Sequence, residues 1–558
     1  MELSEALSER GFEGSAKGAD VWAFSREKSA SAARRRQLLR ALPLTILRVA
    51  AVLVGMRSDN ELYRRLRELP AGRLLSEEVP AFDAAAGRDR LARVAVIRAV
   101  GTVVSACADD RLKATARDWL RGLLKDGEEK VRRYAAAALP KFASGASEEA
   151  ALLDALKGST ADRERRKIAQ SLERVGGEAT LKAAEAGATP EVSLRKVKAG
   201  VARRSGASAV RMDSAVCDGP GLTVHLRCRK GLESFVADEL VDSPFRMKEL
   251  RAGCVVAEVL RGFTLAEAHR LRCFDTISFP LGVIGDPSSP KAIVQLAELV
   301  ASEASITLMR RMAGESPRYR LAVPGASARV LERIAETAYA RTQAVLNDPS
   351  AAEFSVDVLG SPSGAAVELR PRISPNPRTL YRIDAVDAAS HPPLAACLAR
   401  ASLGAECPVV WDPFCGSGLE LVERCLLGGV RCVIGTDIDP AAARMAETNF
   451  RAAGLSGVEA SFHACDFRAP PAAAGLTQDS VSLIISNPPL GRRVRVPDLH
   501  GLFSDLFRTS ARLLRPGGLL VFVNPLRREP AGLPLALQHR RTVDLGGYDC
   551  RLEVYRRI

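Results

Sequence analysis

Acidic residues and glycines follow an apolar segment in the last third of the chain. Within Pro408–Gly418, the apolar run ends at Asp412 and a turn of small residues follows it. Glycines let backbone N–H groups approach a bound ligand, and an acid at a strand end can hold an ammonium group. We therefore predict a strand, a ligand-binding turn and a helix from Leu419. The candidate ligand-binding residues of this turn are Asp412, Pro413, Cys415, Gly416, Ser417 and Gly418.

Two further strand-like segments end in acids. Val430–Asp437 ends 25 residues after Asp412, where an acid in nucleotide-binding αβ folds accepts the ribose hydroxyls. Ser461–Phe467 places Asp466 where an adenine amino group would be read. Ile438 and Phe467 directly follow these acids and are counted with the same predicted nucleoside site.

The fourth segment, Ser480–Pro489, ends in an Asn-Pro-Pro turn. The glycine loop is D-P-F-C-G-S-G and not G-x-G-x-x-G, which argues against a nicotinamide site. Together, the loop, the acids and Asn-Pro-Pro resemble class I methyltransferases that act on exocyclic amines of nucleic acid bases. The resemblance implies S-adenosylmethionine (SAM) as cofactor and a C-terminal Rossmann-like α/β domain.

The Asn-Pro-Pro turn suits a weakly nucleophilic amine. The Asn487 side-chain oxygen and the Pro488 carbonyl can accept two N–H bonds, orient the nitrogen and stabilise developing positive charge. The prolines stiffen the turn. The predicted catalytic residues are Asn487, Pro488, Pro489 and Leu490, and Asn487 is also expected at the cofactor.

Upstream segments are similar to THUMP-containing RNA guanine-N2 methyltransferases. Gly231–Leu240 followed by Leu271–Asp275 resembles the opening of that family, and Arg378–Ile383 resembles its Arg…Tyr-Arg strand. The resemblance covers about 220–558. It implies a ferredoxin-like half, an RNA-gripping THUMP half, tRNA or rRNA as substrate, and cofactor contacts by Ser390, His391 and Pro392.

Leu490 departs from the family pattern, which has an aromatic residue there that stacks on the flipped base. Such stacking contributes about 1–3 kcal/mol per base. Three interpretations stay open: weaker activity, stacking on another residue such as Phe503 or Phe507, or a degenerate site. Alternative functions are transfer to another amine, such as adenine N6 or a protein Gln, and a catalytically weak scaffold that binds SAM and RNA.

Residues 1–210 are rich in Ala, Leu and Arg with apolar residues at helical spacing, which predicts an all-α domain. Val131–Leu139 aligns with Glu164–Leu172 at an offset of 33 residues, as in HEAT-like helical repeats. A non-repetitive bundle is the alternative. Its arginines, including 34–36, 132, 133, 163, 165 and 166, could bind phosphates or form the polar faces of helices. A protein partner on this region is also expected.

The residues between 206 and 220 are small and polar, which predicts a domain boundary. We expect a mixed α+β module over 220–375, with a helix over Phe263–Arg272, and the methyltransferase domain over 376–558.

The totals favour a nucleic-acid partner. The net charge is +14, and the first 215 residues hold 40 Lys and Arg against 29 Asp and Glu. Twelve scattered cysteines lack metal-binding spacing, so we expect no metal, buried thiols and a reducing compartment. Cys415 as a nucleophile is the weaker hypothesis, because no partner base is evident. The N-terminus lacks an apolar signal segment and the longest apolar stretch is short, which predicts a cytoplasmic protein without membrane contact.

Overall fold

The computed structural model describes residues 59–142, 145–205, 209–287, 289–361, 364–384, 390–404, 406–492, 495–527, 529 and 531–558. The arginines at 34–36 lie outside the described residues. The chain divides between residues 207 and 208 into two units.

Helices make up the described part of the first unit. They are α1 Asp59–Leu66, α2 Ala71–Arg73, α3 Val79–Asp83, α4 Gly87–Ala92, α5 Val94–Ala99, α6 Asp110–Gly122, α7 Glu129–Ala138, α8 Ala146–Gly158, α9 Asp162–Val175, α10 Glu178–Glu185 and α11 Leu194–Ser205. Leu74–Glu78 and Val100–Val104 are π-helical turns, and Leu123–Lys125 and Leu139–Lys141 are 3₁₀ turns. Their apolar faces share one core that includes Phe82, Val131 and Leu172.

The aligned segments of the first unit occupy matching positions. Helix α7 packs on α9, and α9 packs on α11. Arg132 donates to Glu164 Oε1 over 2.6 Å and to the Asp126 carbonyl that precedes its own helix. Arg165, 33 residues later, donates to Glu191 Oε1 over 2.7 Å and to the Ser159 carbonyl. Arg132 therefore ties α7 to α9, Arg165 ties α9 to the turn before α11, and neither presents a free phosphate-binding group.

The second unit begins with a central module. Its strands are β1 Ala215–Cys217, β2 Thr223–Arg227, β3 Phe245–Arg251, β4 Cys254–Val259, β5 Phe263–Thr264, β6 Thr276–Ile284, β7 Arg318–Ala322, β8 Leu346–Asn347, β9 Phe354–Ser361 and β10 Gly364–Pro371. Its helices are α12 Glu233–Asp238, α13 Leu265–Ala268, α14 Pro290–Val300, α15 Glu303–Ala313 and α16 Ala328–Arg341.

One eight-stranded sheet organises this module, in the order β3-β4-β2-β6-β10-β9-β7-β8. Apart from the short pair β1 and β5, the first half runs β2-α12-β3-β4-α13-β6, which is the ferredoxin-like order. The expected helix over Phe263–Arg272 is wrong at its start. Phe263 and Thr264 pair with β1 instead, and the Thr264 hydroxyl caps α13 by accepting from the Glu267 N–H.

The C-terminal domain is a doubly wound α/β sheet. Its strands are β11 Val409–Asp412, β12 Cys432–Asp437, β13 Glu459–Ala464, β14 Val481–Ser486, β15 Leu514–Asn524, β16 Leu535–Asp544 and β17 Asp549–Arg557. Its helices are α17 Pro392–Arg400, α18 Leu419–Leu426, α19 Pro440–Ala452 and α20 Leu499–Leu513. Short 3₁₀ turns lie at Pro377–Thr379 and Ala472–Ala474.

The strand order is β13-β12-β11-β14-β15-β17-β16, and β17 runs antiparallel to both of its neighbours. The direction of winding reverses between β11 and β14. In open α/β sheets a ligand binds at the carboxyl ends of the strands beside such a switch point. The fold therefore predicts a ligand site at the residues that follow Asp412 and Ser486.

The central module and the C-terminal domain share a hydrophobic core, which contains Phe235, Phe274, Leu398 and Val521. Gly231 shows how closely they pack. It has a φ of +96°, and an added Cβ would lie 1.9 Å from the Thr542 carbonyl oxygen of β16. The regions predicted as two domains thus form one unit.

Among the described residues, no single helix is long and apolar enough to cross a membrane. Helices α14 and α15 reach that length and composition only as a pair bent by 48°. Leu296, Val300, Met309 and Met312 of this pair are buried in the protein core.

Candidate active site

The glycine turn between β11 and α18 is built around left-handed backbone. Gly416 and Gly418 have φ angles of +50° and +80°. An added Cβ at Gly418 would lie 3.2 Å from Ala446 of α19, so the turn packs closely on that helix. Pro413 and Ser417 are buried in this turn. It leaves the first backbone N–H groups of α18 at the switch point, as the sequence predicts.

Asp412 ends β11 and is fully buried. Its Oδ1 accepts from the Ser486 hydroxyl over 2.6 Å and from the Phe414 N–H over 3.0 Å. Its Oδ2 is buried without a partner. Burial raises the pKa of Asp412 well above its usual range, and the nearby Glu420 carboxyl raises it further. A buried unpaired carboxylate oxygen is costly, so this atom is suited to receive a cationic ligand group.

Asp437 ends β12 and faces the same turn. Its Oδ2 accepts from the Gly416 N–H over 2.9 Å, and its Oδ1 accepts from the Asp439 N–H over 3.0 Å. The carboxylate is thereby fixed at the sheet edge, in the place predicted for the ribose. Ile438 beside it is 77% exposed, which leaves an apolar surface for a ring to cover.

The third predicted position differs in detail. Strand β13 ends at Ala464, two residues before Asp466. Asp466 accepts from the Arg468 N–H and pairs with the Arg468 guanidinium, each over 2.9 Å. Phe467 is buried, with its ring centroid 4.8 Å from that of Phe414. Arg468 therefore already occupies the Asp466 carboxylate that was predicted to bind the adenine amino group. The buried Phe467 ring packs under the glycine turn through Phe414.

Asn487 follows β14 directly. Its Nδ2 donates to the Ser390 hydroxyl over 2.9 Å, and its Oδ1 is buried without a partner. Pro488 is buried, whereas Pro489 and Leu490 are half-buried, and Leu490 packs against the core. Phe503 and Phe507 are buried in a core cluster with Phe522. These two rings therefore cannot stack on a substrate base, so Phe503 and Phe507 are wrong as replacements for the missing aromatic residue.

Glu420 was not predicted for the site. It lies in the first turn of α18, is 3% exposed, and has one oxygen, Oε1, without a partner. Burial raises its pKa to about 7 in spite of a hydrogen bond from Ser390. Its position resembled the polar face of a helix in the sequence, and only the burial of that face distinguishes it.

A buried ion pair attaches the central module to α18. Arg272 donates to both oxygens of Glu423 over 2.6 and 2.8 Å. The Tyr381 hydroxyl donates to Glu423 over 2.8 Å. Glu239 accepts from the Arg272 and Cys273 N–H groups, each over 2.8 Å. The Leu271–Asp275 and Arg378–Ile383 segments, which carried the family resemblance, therefore meet at this helix.

The predicted Arg…Tyr-Arg strand is wrong. Residues 377–379 form a 3₁₀ turn, in which the Asn376 side chain accepts from the Arg378 N–H. Arg378 is buried and donates to the carbonyls of Phe274 and Asp275. Its guanidinium carbon lies 4.5 Å from the centroid of the Phe274 ring. These contacts, together with the missing N–H of Pro377, favour a turn over a strand.

His391 and Pro392 begin α17. His391 Nε2 lies 2.9 Å from Asp275 Oδ1, and its Nδ1 is buried without a partner. Pro392 occupies the first turn of the helix, where its missing N–H costs nothing. The family resemblance assigned these residues to the cofactor, and the structure places them at the contact with the central module, next to Ser390.

Asn449 is a second unpredicted positioning residue. It is fully buried on α19. Its Nδ2 donates to the carbonyls of Asp384 and Ser417, each over 3.0 Å, and its Oδ1 accepts from the Ile383 N–H over 3.0 Å. One amide thus joins the glycine turn to the segment that precedes α17. In the sequence Asn449 is one polar residue of a helix, a pattern that normally indicates a solvated face, so only its burial distinguishes it.

Cys415 is buried, and burial together with the carboxylates of Asp412 and Asp437 raises the pKa of its thiol well above the usual range. A neutral thiol is a poor nucleophile, so its role is packing. Among the described residues, no group of three or more His, Cys, Asp or Glu side chains could hold a metal ion.

Residues 379–534 match the family model of the RMKL-like methyltransferase domain. Several solved structures are similar to the chain. TrmN from Thermus thermophilus is 23% identical over 61% of this chain and 100% of its own, with a TM-score of 0.47. A possible methylase from Clostridium difficile 630 is 15% identical over 60% and 97%, with a TM-score of 0.46.

A third structure is a predicted N6-adenine-specific DNA methylase from Listeria monocytogenes str. 4b F2365. It is 16% identical over 60% of this chain and 95% of its own, with a TM-score of 0.44. No curated protein matches the chain.

The sheet order, the glycine turn and the acids at the strand ends define a class I fold that binds a nucleoside cofactor. The family match over 379–534 makes the chain a SAM-dependent methyltransferase. The residues fit SAM: Asp412 and Glu420 have buried unpaired oxygens for its ammonium, and Asp437 lies where its ribose would bind. SAM supplies an electrophilic methyl group on a sulfonium.

Proposed function

We propose that the protein methylates the exocyclic N2 amine of guanosine in tRNA or rRNA. The observation that carries this proposal is the hydrogen bonding of the Asn487 side chain. Ser390 fixes its Nδ2, so its Oδ1 is left as a buried acceptor without a partner at the end of β14. An unpaired acceptor beside a methyl donor is suited to an N–H group of the substrate.

The guanine amine is a poor nucleophile because its lone pair is delocalised into the ring. Asn487 Oδ1 and the Pro488 carbonyl accept its two N–H bonds and turn the nitrogen towards the sulfonium methyl. Positive charge develops on the nitrogen during transfer, and these oxygens stabilise it. The proton leaves after transfer, so a strong base is not required.

The central module supports RNA as the substrate. Its ferredoxin-like half continues into a second half made of α14, α15 and α16 packed on the same sheet, which fits the proposed THUMP region. Arg329 and Arg333 are exposed one turn apart on α16. Such exposed arginines can contact the phosphate backbone. The buried Arg272–Glu423 pair holds this module to the domain that carries Asn487.

We also propose that the first unit is a HEAT-like array that binds a protein partner. The matching contacts of Arg132 and Arg165 support a repeat, because each donates to a carbonyl that precedes its own helix and to a glutamate further along the chain. Since these cations are used internally, the basic character of this unit is weaker support for phosphate binding.

The test is transfer of tritiated methyl from SAM to total tRNA and to rRNA, each purified from a strain that lacks this gene. Nucleoside mass spectrometry then identifies the product. N2-methylguanosine supports the proposal and selects the RNA class. N6-methyladenosine, or label in protein only, would replace it with the alternative amine. SAM binding without label in any pool would favour the scaffold hypothesis.

A further inference from the structure

Two carboxyl groups are buried on either side of the glycine turn, Asp412 at the end of β11 and Glu420 in the first turn of α18. Asp412 and Glu420 are 0% and 3% exposed, and each has one oxygen without a partner, Oδ2 and Oε1 respectively. The charge of Glu420 adds to burial in raising the pKa of Asp412. The remaining oxygens are bonded to serines, Ser486 for Asp412 and Ser390 for Glu420.

This pair is linked to the catalytic turn on both sides. Ser486, which donates to Asp412, directly precedes Asn487 in the chain. Asn487 Nδ2 in turn donates to Ser390, which leaves the Ser390 hydroxyl proton to Glu420. The two carboxyl groups therefore belong to one hydrogen-bond network with Asn487, and each keeps one unpaired oxygen.

Two ionised carboxylates cannot share such a buried site without a cation, because desolvation and mutual repulsion both favour a proton on the pair. The charged groups that face the pair do not neutralise it. Glu423 on α18 and Asp437 at the end of β12 add negative charge, and Arg382 in the segment before α17 is the opposing cation.

We propose that Asp412 and Glu420 form a paired-carboxyl seat that holds one shared proton in the free protein and exchanges it for the α-ammonium group of SAM. The exchange balances. The proton leaves to solvent as the ammonium enters, so the local charge stays at about −1 before and after binding. The proposal rests on SAM as the cofactor and is independent of which nucleobase is methylated.

The exchange predicts a specific pH dependence. With the pKa of Glu420 at about 7, the pair carries its proton at pH 6 and has lost most of it by pH 7.5. Binding of the ammonium requires both carboxylates to be ionised. Affinity should therefore fall about tenfold per unit as pH drops below 7, and about one proton should be released per ligand at pH 6.

The experiment is isothermal titration of the full-length protein with S-adenosylhomocysteine, which has the same ammonium group. Titrations at pH 6.0 and 7.5 in buffers of different ionisation enthalpy count the protons released. We expect about one at pH 6.0 and about a quarter at pH 7.5. 5′-Methylthioadenosine lacks the amino acid part and should release none. Equal release by both ligands would overturn the proposal.

Glu420→Gln keeps the size of the side chain and removes its charge. We expect the proton release at pH 6.0 to differ from that of wild type and the Kd at pH 7.5 to rise, because Asp412 alone is left to titrate and to hold the ammonium. Glu447→Gln, on the surface of α19 and outside the site, is the matched control and should behave as wild type. Wild-type proton release from Glu420→Gln would show that the pair does not titrate as proposed. If that variant fails to fold, the ligand comparison on the wild-type protein decides alone.

Discussion

Replacing Arg272 by Met should destabilise the unit 208–558 by about 3–5 kcal/mol, because it leaves a buried carboxylate without its cation. The Glu423 side chain is 2% exposed and that of Arg272 is 21% exposed. In this variant Glu423 keeps the hydrogen bond that the Tyr381 hydroxyl donates to it. The loss should lie towards the lower end of that range, since Arg272 is reached by some solvent.

The assay is urea unfolding followed by the fluorescence of Trp411, which is fully buried in the C-terminal sheet. The other tryptophans, Trp22 and Trp119, lie in the first unit and are replaced by Phe, so the signal reports one unit. The double variant Arg272→Met with Glu423→Leu removes both charges and should recover much of the stability. A loss of stability below about 1 kcal/mol for Arg272→Met is the size expected for a surface ion pair, and it would refute the role of Arg272 and Glu423 as a buried ion pair.

Three further outcomes are expected. Asp437→Ala should raise the Kd of SAM, measured by calorimetry, because the ribose loses its acceptor; unchanged affinity would count against that assignment. For Glu368, burial opposes hydrogen bonds from His225, Arg227 and Ser278, which lower its pKa to about 2. A carboxyl with a lowered pKa stabilises the fold above its unfolded value, so about 3 kcal/mol should be lost as pH falls from about 4.5 to 2, and Glu368→Gln should flatten this acid limb of the unfolding curve. Gly231→Ala should lower the Tm, since its Cβ would collide with the Thr542 carbonyl; an unchanged Tm would mean that the contact yields easily.

Local patterns were sufficient to predict the parallel strands that end at the site. Asp412, Asp437 and Asn487 each end a buried apolar run, and parallel strands bring such ends to one edge. Strand β16 was not predicted, because Leu537, Gln538 and His539 are exposed and weaken its apolar pattern. The sequence therefore predicted the strands that end at the cofactor site, and it did not predict the edge strand β16.

The parts of the site that depend on distant contacts could not be predicted. Arg272 and Glu423 are 151 residues apart, and no local rule pairs them. Glu420 and Asn449 have polar side chains on helices, a pattern that normally indicates a solvated face. Their roles follow only from the packing of α18 and α19 against the sheet. The same holds for Arg378, whose turn is determined by carbonyl groups about 100 residues away.

The central claim is that Asn487 Oδ1 holds the amine that receives the methyl group. Its most direct test compares wild type and Asn487→Ala under single-turnover conditions with trideuteromethyl-SAM and the RNA pool that the wild type labels. We expect labelled N2-methylguanosine from wild type and a rate about 10²–10³-fold lower from the variant, as for loss of one transition-state hydrogen bond, with SAM affinity nearly unchanged. Equal rates, or loss of SAM binding in the variant, would contradict this account of the site.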